Sequence, residues 1–224
     1  MLAPRLNAAG RLAHPKEALS LLTTPDADEA DRIAEVLCQR NRARQQEEAR
    51  TLDEAREIID RKQLKNDKVL VVAKAGWHVG VIGIVASRLV DLYHRPALLV
   101  AFPEEGADDA GVGIGSGRSL PGFSLWEALN ECRELLLRFG GHELAAGFAV
   151  AEDKLELLRE QLLAAAETKM TSDQLVRFLE VDIIAEAAAL TLPAVEELER
   201  LEPCGGKNAP ATAPLRISAT ATRS

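Results

Sequence analysis

The chain has 224 residues, enough for one large domain or for a smaller domain with appended segments. Hydrophobic residues make up 47% of the chain and aromatic residues only 4%, so the sequence predicts a core built from aliphatic side chains. The formal net charge of −8 argues against a generally basic surface, which is what broad coverage by nucleic acid requires. We therefore expect any contact with nucleic acid to be local.

Cysteine usage and hydropathy indicate the cellular compartment. Cys38, Cys132 and Cys204 have no CxxC spacing, and their odd number predicts reduced thiols in a cytosol. No apolar run has the length of a membrane span and no signal peptide is apparent. The sequence therefore predicts a cytoplasmic protein without a membrane partner.

The first 65 residues are predicted to be helical. A short helix is expected over residues 15–22, and Asp26 has the position of a cap for the next helix. From Ala27 to Arg61 there is no Gly or Pro, and apolar residues recur at helical spacing, which predicts one long helix. Its middle, residues 39–50, is almost devoid of apolar residues, so we expect this part to be exposed or to bridge two domains, with the basic run 40–44 solvated.

From residue 67 the pattern changes to alternating strands and helices. Strands are predicted over residues 68–73, 96–102, 110–115 and 145–150, and helices over residues 79–93, 125–139 and 153–169. An acidic turn is expected at residues 104–109. These elements predict a compact α/β domain of about a hundred residues, a normal size for one core.

The segment FGGHELAAG at residues 139–147 is the most informative for function. Gly140 and Gly141 would let backbone N–H groups approach an anion, and His142 would add an imidazole donor. The same two glycines also fit the ordinary end of a helix. Both interpretations stay open on the pattern alone.

Two further positions have a functional and a structural interpretation. Arg118 lies between Ser116 and Ser119 at the end of a predicted strand, where a two-pronged contact with phosphate is favoured over a plain surface charge. His78 precedes a predicted helix, so it caps that helix or touches a substrate, and capping is favoured. Arg88, in mid-helix, is interpreted as part of a structural ion pair.

Four segments, in their order along the chain, resemble the RecJ family of single-strand-specific exonucleases within the DHH phosphoesterase superfamily. They are APRLNAAGRL at 3–12, GWHVGVIGIVASRL at 76–89, GSGRS at 115–119 and FGGHELAAG at 139–147. The resemblance covers nearly the whole chain. It implies an α/β fold in which a segment with the family motif and a long linker helix (residues 1–65) is followed by a compact DHHA1-type domain (66–171) and a truncated OB-type segment (172–224).

The resemblance also implies roles for individual residues. Asn7 and Arg11 would belong to a cleft that meets a catalytic domain, while Arg118 and the loop at 140–142 would clamp backbone phosphates. Arg5, Ser116 and Ser119 are further candidates for substrate binding. The family carries its metal ligands in a DHH domain, and this chain has no His-His pair. We therefore expect no catalytic residue and no metal in this chain, with Mn²⁺ or Mg²⁺ implied for the full-length enzyme.

The last segment is expected to begin an OB-type barrel without closing it. Strands are predicted at residues 175–182 and 214–220 and a helix at 193–201, fewer than the five strands that the barrel needs. The family has a Gly-Asn-Pro sequence beyond its Leu-Glu-Pro segment, whereas this chain has KNAP at residues 207–210.

The expected function is the substrate-binding part of a 5′–3′ exonuclease acting on single-stranded DNA in repair and recombination. Its expected partners are single-stranded DNA and, if supplied separately, a DHH catalytic domain. One alternative is a nucleotide or oligonucleotide phosphodiesterase of the same superfamily, against which the long helix and the Leu-Glu-Pro tail argue. The other is a non-enzymatic nucleic-acid-binding module, against which the motif at residues 3–12 argues.

Overall fold

The computed structural model describes residues 2–12, 14–104, 106, 111–177, 185–186, 189, 191–205 and 215–216. The chain divides into two units, Met1–Val176 and Arg177–Ser224. Within the described ranges, no helix combines the length and the apolar composition of a membrane span.

Three helices precede the sheet of the first unit. They are α1 (Ala3–Leu12), α2 (Lys16–Thr23) and α3 (Ala27–Arg61), which confirms the predicted long helix. The Asp26 side chain caps α3 by accepting hydrogen bonds from the backbone N–H groups of Asp28 and Glu29. The small residues Ala8 and Ala9 are fully buried, which lets α1 pack closely on α3.

The predicted exposure of the middle of α3 is wrong at Asn41 and Glu48, which are 9% and 3% exposed. The reason is electrostatic, because Glu48 Oε1 lies 2.6 Å from Arg88 Nε on helix α4 (Val79–Tyr93) and its other oxygen accepts from Arg44. Arg44 also donates to Asn41 Oδ1. The predicted ion pair of Arg88 is confirmed, and a charged network adds to the apolar contact between α3 and α4.

A five-stranded mixed sheet forms the centre of the first unit. Its strands are β1 (Leu70–Ala75), β2 (Ala97–Phe102), β3 (Val112–Arg118), β4 (Leu136–His142) and β5 (Ala145–Ala151), in the order β1-β2-β3-β5-β4. β1 and β2 are parallel and are linked through α4, whereas the other pairs are antiparallel. Helices α5 (Leu125–Glu131) and α6 (Leu155–Lys169) complete the predicted α/β domain.

The predicted helix over residues 125–139 is wrong beyond Glu131. Helix α5 ends there, a 3-10 turn covers Arg133–Leu135, and the chain enters β4. Pairing with β5 sets Phe139 opposite Phe148, and both rings pack in the core, so tertiary contacts override the helical propensity of the leucines. The glycines at 140 and 141 therefore lie in a hairpin strand and do not end a helix.

Two apolar layers lie on the two faces of the sheet. One contains Ile59 of α3 and Leu89 of α4 against Leu99 of β2. The other contains Phe148 of β5 packed with Leu158 of α6. Helix α4 contacts β2 and β3. Beyond β3, on the face that carries α4, the sheet presents the glycine-rich surface described below.

The second unit is described over short ranges only. Helix α7 (Leu192–Glu199) begins at the cap Thr191, close to the predicted helix. Strands β6 (Ala185–Glu186) and β7 (Leu215–Arg216) pair in parallel. Residues 172–175 form a 3-10 turn, so the predicted strand at 175–182 does not begin at Leu175, and the rest of that prediction falls largely outside the described residues. An OB-type barrel is not shown by the ranges described here, and most of the predicted acidic turn at 104–109 also falls outside them.

Candidate functional site

The register of β3, β5 and β4 brings the predicted site residues into rows. The rows are Arg118–Ala145–His142, Ser116–Gly147–Gly140 and Ile114–Ala149–Arg138. Residues that are directly opposite in an antiparallel sheet project from the same face, and so do residues two apart along a strand. The three rows therefore form one continuous surface, which we call the shelf.

The centre of the shelf has almost no side chains. A Cβ added to Gly140 would meet no atom within 4 Å, and one added to Gly147 would meet only the backbone oxygen of Gly115 at 3.8 Å. A ligand can thus reach the backbone at both positions. Gly141 has a different role, because with φ +149° its added Cβ would lie 2.3 Å from the backbone oxygen of Ala145. It serves the hairpin rather than a ligand.

Arg118 is a half-buried cation that contacts neutral groups. Its Nη1 donates to the backbone oxygen of Gly117 at 2.7 Å and to Ser116 Oγ at 3.3 Å. Within the described ranges it forms no ion pair with an acidic side chain. Burial, followed by repulsion from Arg11, lowers the pKa of Arg118. Because a buried charge without a counter-ion is costly, an anionic ligand would be stabilised here.

Helix α4 leaves room for this guanidinium through Gly83. A Cβ at Gly83 would lie 2.9 Å from Ser116 Oγ and 3.2 Å from Arg118 Nη2. Any larger residue would therefore displace the two side chains that project from β3. The segment at 76–89 thus packs directly against the segment at 115–119.

Arg11 reaches the same region from the end of α1. Its Nη1 lies 3.4 Å from the backbone oxygen of Gly80, and a Cβ on Gly80 would stand 2.1 Å from the backbone oxygen of Arg11. The first turn of α4 thus seats the last turn of α1 through a glycine. As a result, Arg11 is close enough to Arg118 to disfavour its charged form. The sequence predicts both residues for the site, and the structure brings them together.

The other residues predicted on α1 are placed differently. Arg5 Nε lies 3.2 Å from Cys38 Sγ on α3, so this side chain takes part in packing between the two helices. Asn7 is exposed on α1. Its place in a cleft with a catalytic domain stays a prediction.

His78 and Ser119 have structural contacts. His78 Nδ1 accepts the backbone N–H of Gly80 at 3.0 Å and caps α4, which confirms the favoured interpretation. The Ser119 hydroxyl donates to the backbone oxygen of Phe123 at 2.7 Å. The backbone N–H of Ser119 donates to the backbone oxygen of Leu144. Ser119 therefore links the loop after β3 to the turn of the β4–β5 hairpin.

His142 ends the first row and Arg138 ends the third. His142 is exposed, and its Nδ1 accepts the backbone N–H of Leu144 at 3.3 Å, so the neutral ring carries its proton on Nε2. Arg138 is exposed, and the sequence analysis does not identify it, because a helix is predicted where Arg138 alternates with Gly140 and His142 along a strand. In a strand, residues 138, 140 and 142 share a face, which is the signal that identifies it.

Divalent metal ions do not suit the shelf. Mg²⁺ and Mn²⁺ prefer carboxylate and other oxygen ligands, whereas the charged side chains here are arginines. Across the described residues, no group of three or more His, Cys, Asp or Glu has an arrangement that could hold a metal ion. The shelf is suited to an anion instead.

Comparisons with known proteins identify the family of this chain. Residues 66–168 match the DHHA1 domain model. The single-stranded-DNA-specific exonuclease RecJ of Bacillus subtilis (strain 168) is 40% identical over 207 residues, covering 92% of this chain and 26% of that protein. RecJ of Thermus thermophilus is 38% identical over 210 residues, covering 92% of this chain and 28% of that protein.

Solved structures agree with the sequence comparison. The crystal structure of RecJ in complex with Mn²⁺ from Thermus thermophilus superposes with a TM-score of 0.80 at 35% identity, covering 94% of this chain and 30% of that one. A second structure, exonuclease RecJ bound to manganese, gives a TM-score of 0.62 at 39% identity, covering 74% of this chain and 40% of that one. The chain thus spans well under half the length of these relatives.

Proposed function

The chain belongs to the RecJ family, and we propose that it is the substrate-binding part of a 5′–3′ exonuclease acting on single-stranded DNA. In this proposal the shelf holds the sugar-phosphate backbone of the strand. The metal ions and the attacking water belong to a DHH catalytic domain outside these residues. The relatives named above supply the substrate class.

The environment of Arg118 supports this proposal most directly. A protein of net charge −8 places a half-buried guanidinium beside a second one, with neutral partners and an open glycine surface next to them. A structural arginine in such a position is normally paired with a carboxylate, because desolvation of an unpaired charge is costly. A phosphate group would supply the missing negative charge.

The shelf suits a phosphodiester because its donors surround a flat floor. Arg118 can donate from one side, and the Nε2–H of His142 can donate from the other side of Ala145. The open backbone at Gly140 and Gly147 allows the ester to lie between them. Such contacts orient the scissile bond and offset charge that develops in the transition state. Contacts to the backbone carry no direct sequence information, so binding at the shelf is expected to be independent of sequence.

Binding of a labelled oligothymidylate, followed by fluorescence anisotropy at several salt concentrations, tests the proposal. Arg118→Ala should weaken binding by about 1.5–3 kcal/mol, the range for a hydrogen bond to a charged group, and should reduce the salt slope by about one unit. Arg133→Ala is the matched control, since Arg133 is 65% exposed and pairs with the adjacent Glu134. Equal affinity and slope in the two variants would contradict a phosphate role for Arg118.

A further inference from the structure

An apolar cavity of about 450 Å³ adjoins the third row of the shelf. We propose that it takes one nucleobase of the strand whose phosphates lie on the shelf, an inference that rests on the proposed function. The cavity and the shelf share Ile114, Ala149 and Arg138, so the two form one continuous surface.

The wall of the cavity contains one aromatic ring, that of Trp77. Trp77 follows β1 and is 4% exposed, and its indole N–H donates to Glu54 at 2.7 Å, which fixes the orientation of the ring. Phe102, the last residue of β2, also lines the cavity, but its ring packs against Gly113 on the opposite face of the sheet. A rigid wall costs little entropy when a ligand binds, because its side chains are already ordered.

The rim of the cavity exposes large apolar side chains. Val79, the first residue of α4, is 55% exposed, and Leu137, at the irregularity in the register of β4, is 62% exposed. Two apolar rim residues beside an apolar wall would lose contact with water together when a flat ring enters. Burial of that surface would stabilise the complex.

A nucleotide combines the two chemistries that meet at Arg138. The third row lies two residues from the Gly140–Gly147 row, or about 7 Å at 3.3–3.4 Å per residue. A phosphate over the glycines would thus place the base of the same or the next nucleotide within reach of the cavity. Single-strand binding proteins commonly join a cationic groove for the backbone with aromatic or apolar sites for bases.

The lining also indicates how selective the cavity is. Arg138 is the charged side chain among the lining residues, and the indole N–H of Trp77 is already bonded to Glu54. Few groups remain to read the edge of a base. We therefore expect the cavity to accept any base by shape and burial, without a strong sequence preference.

The test separates bases from phosphates on the DNA side. An oligothymidylate and a strand of abasic tetrahydrofuran units of equal length carry the same phosphates. The unmodified chain should bind the thymidylate about tenfold more tightly, near the lower end of the contribution of one stacked base. Val112→Trp, which fills the cavity from β3, should remove this preference and leave affinity for the abasic strand unchanged.

Three further variants complete the design. Leu157→Trp adds the same side chain at a 43% exposed position on α6 and should keep the tenfold preference. If circular dichroism shows that Val112→Trp does not fold, Leu137→Ala serves in its place. It removes one rim residue and should reduce the preference for the thymidylate by about half. Arg118→Ala should weaken binding of both strands and keep their ratio.

The outcomes distinguish the cavity from the shelf. Equal binding of the two strands by the unmodified chain would overturn the nucleobase site and leave the proposed function standing. A preference that persists in folded Val112→Trp would do the same. If Arg118→Ala binds both strands as tightly as the unmodified chain, the phosphate shelf is wrong, and if neither strand binds at all, both proposals fall.

Discussion

The two faces of the five-stranded sheet use glycine in opposite ways. On the face covered by α5 and α6, Gly115 and Gly117 of β3 make room for large neighbours, and a Cβ at Gly115 would come within 2.2 Å of the Phe148 ring. On the other face, Gly140 and Gly147 have empty space in front of them. The same residue type therefore completes a core on one side and exposes backbone to a ligand on the other.

The faces also differ in how their helices are attached. Helix α6 packs through apolar residues such as Leu158 and Leu162, both fully buried. Helices α3 and α4 share an apolar layer too, but they add the buried carboxylate of Glu48 between Arg44 and Arg88. Helix α6 also has ion pairs, such as Arg159–Asp67, but these side chains are 26% and 25% exposed, whereas the Glu48 side chain is 5% exposed. We therefore expect the face that carries the shelf to be more sensitive to the loss of its carboxylate.

The largest expected effect comes from breaking that charged attachment. Glu48→Ala should lower the free energy of unfolding by about 3–5 kcal/mol, because it leaves the buried Arg44 guanidinium without its carboxylate. Glu156→Ala removes an exposed partner of Arg159 on α6 and should cost about 1 kcal/mol or less. Urea denaturation measures both. Similar decreases in the free energy of unfolding of the two variants would show that the charged network around Glu48 stabilises the fold no more than an exposed ion pair does.

A smaller effect should distinguish the glycines of the two faces. Gly115→Ala should destabilise the fold by about 1–3 kcal/mol through overpacking against Phe148. Gly140→Ala should change stability by about 0.5 kcal/mol or less, since its Cβ meets nothing, yet should weaken binding of single-stranded DNA. Thermal melts and anisotropy on the same samples measure the two properties. A Gly140→Ala variant with unchanged affinity would argue that the floor of the shelf is not contacted.

The smallest effect concerns the thiol of Cys132, on the face of the sheet that α5 and α6 cover. Burial, and then the charge of Glu131, raises the pKa of Cys132 to about 11. Its protonated form is favoured in the folded state, so the stability it contributes is present below pH 9.0 and is lost as the pH rises towards about 11. At pH 8 a thiol reagent should modify the exposed Cys204 rapidly and Cys132 only on unfolding. Equally rapid modification of Cys132 and Cys204 would show that the layer under α5 and α6 opens readily.

Long periodic segments make much of the fold predictable. The sequence predicts helix α4 over residues 79–93, where the structure has it, and α3 has both predicted ends. Strand β4 is not predictable in this way, because its leucines favour a helix locally and only its pairing with β5 decides otherwise. The turn between them, Glu143–Leu144, also lacks the Asn-Gly or Asp-Gly sequence that commonly marks a hairpin.

The candidate site shows the same limit. Arg118, Gly140 and His142 are predictable because glycines beside a cation suggest an anion site even without a fold. Arg138 is not, since its face is defined only once β4 is a strand. The proximity of Arg11 to Arg118 depends on α1 meeting α4 at Gly80, a contact between distant segments that no local pattern encodes.

Helix α3 gives the first unit a border that differs from that of the recognised domain. The family match begins at residue 66, yet Ala55, Ile58 and Ile59 belong to the same apolar cluster as Leu70 and Val81. Excising the matched segment alone would strip one wall from its core and would also remove Arg11 from the neighbourhood of Arg118. The segment that the DHHA1 model covers is therefore smaller than the segment that packs around this core. Fusions or transplants of this module should carry the N-terminal helices with it.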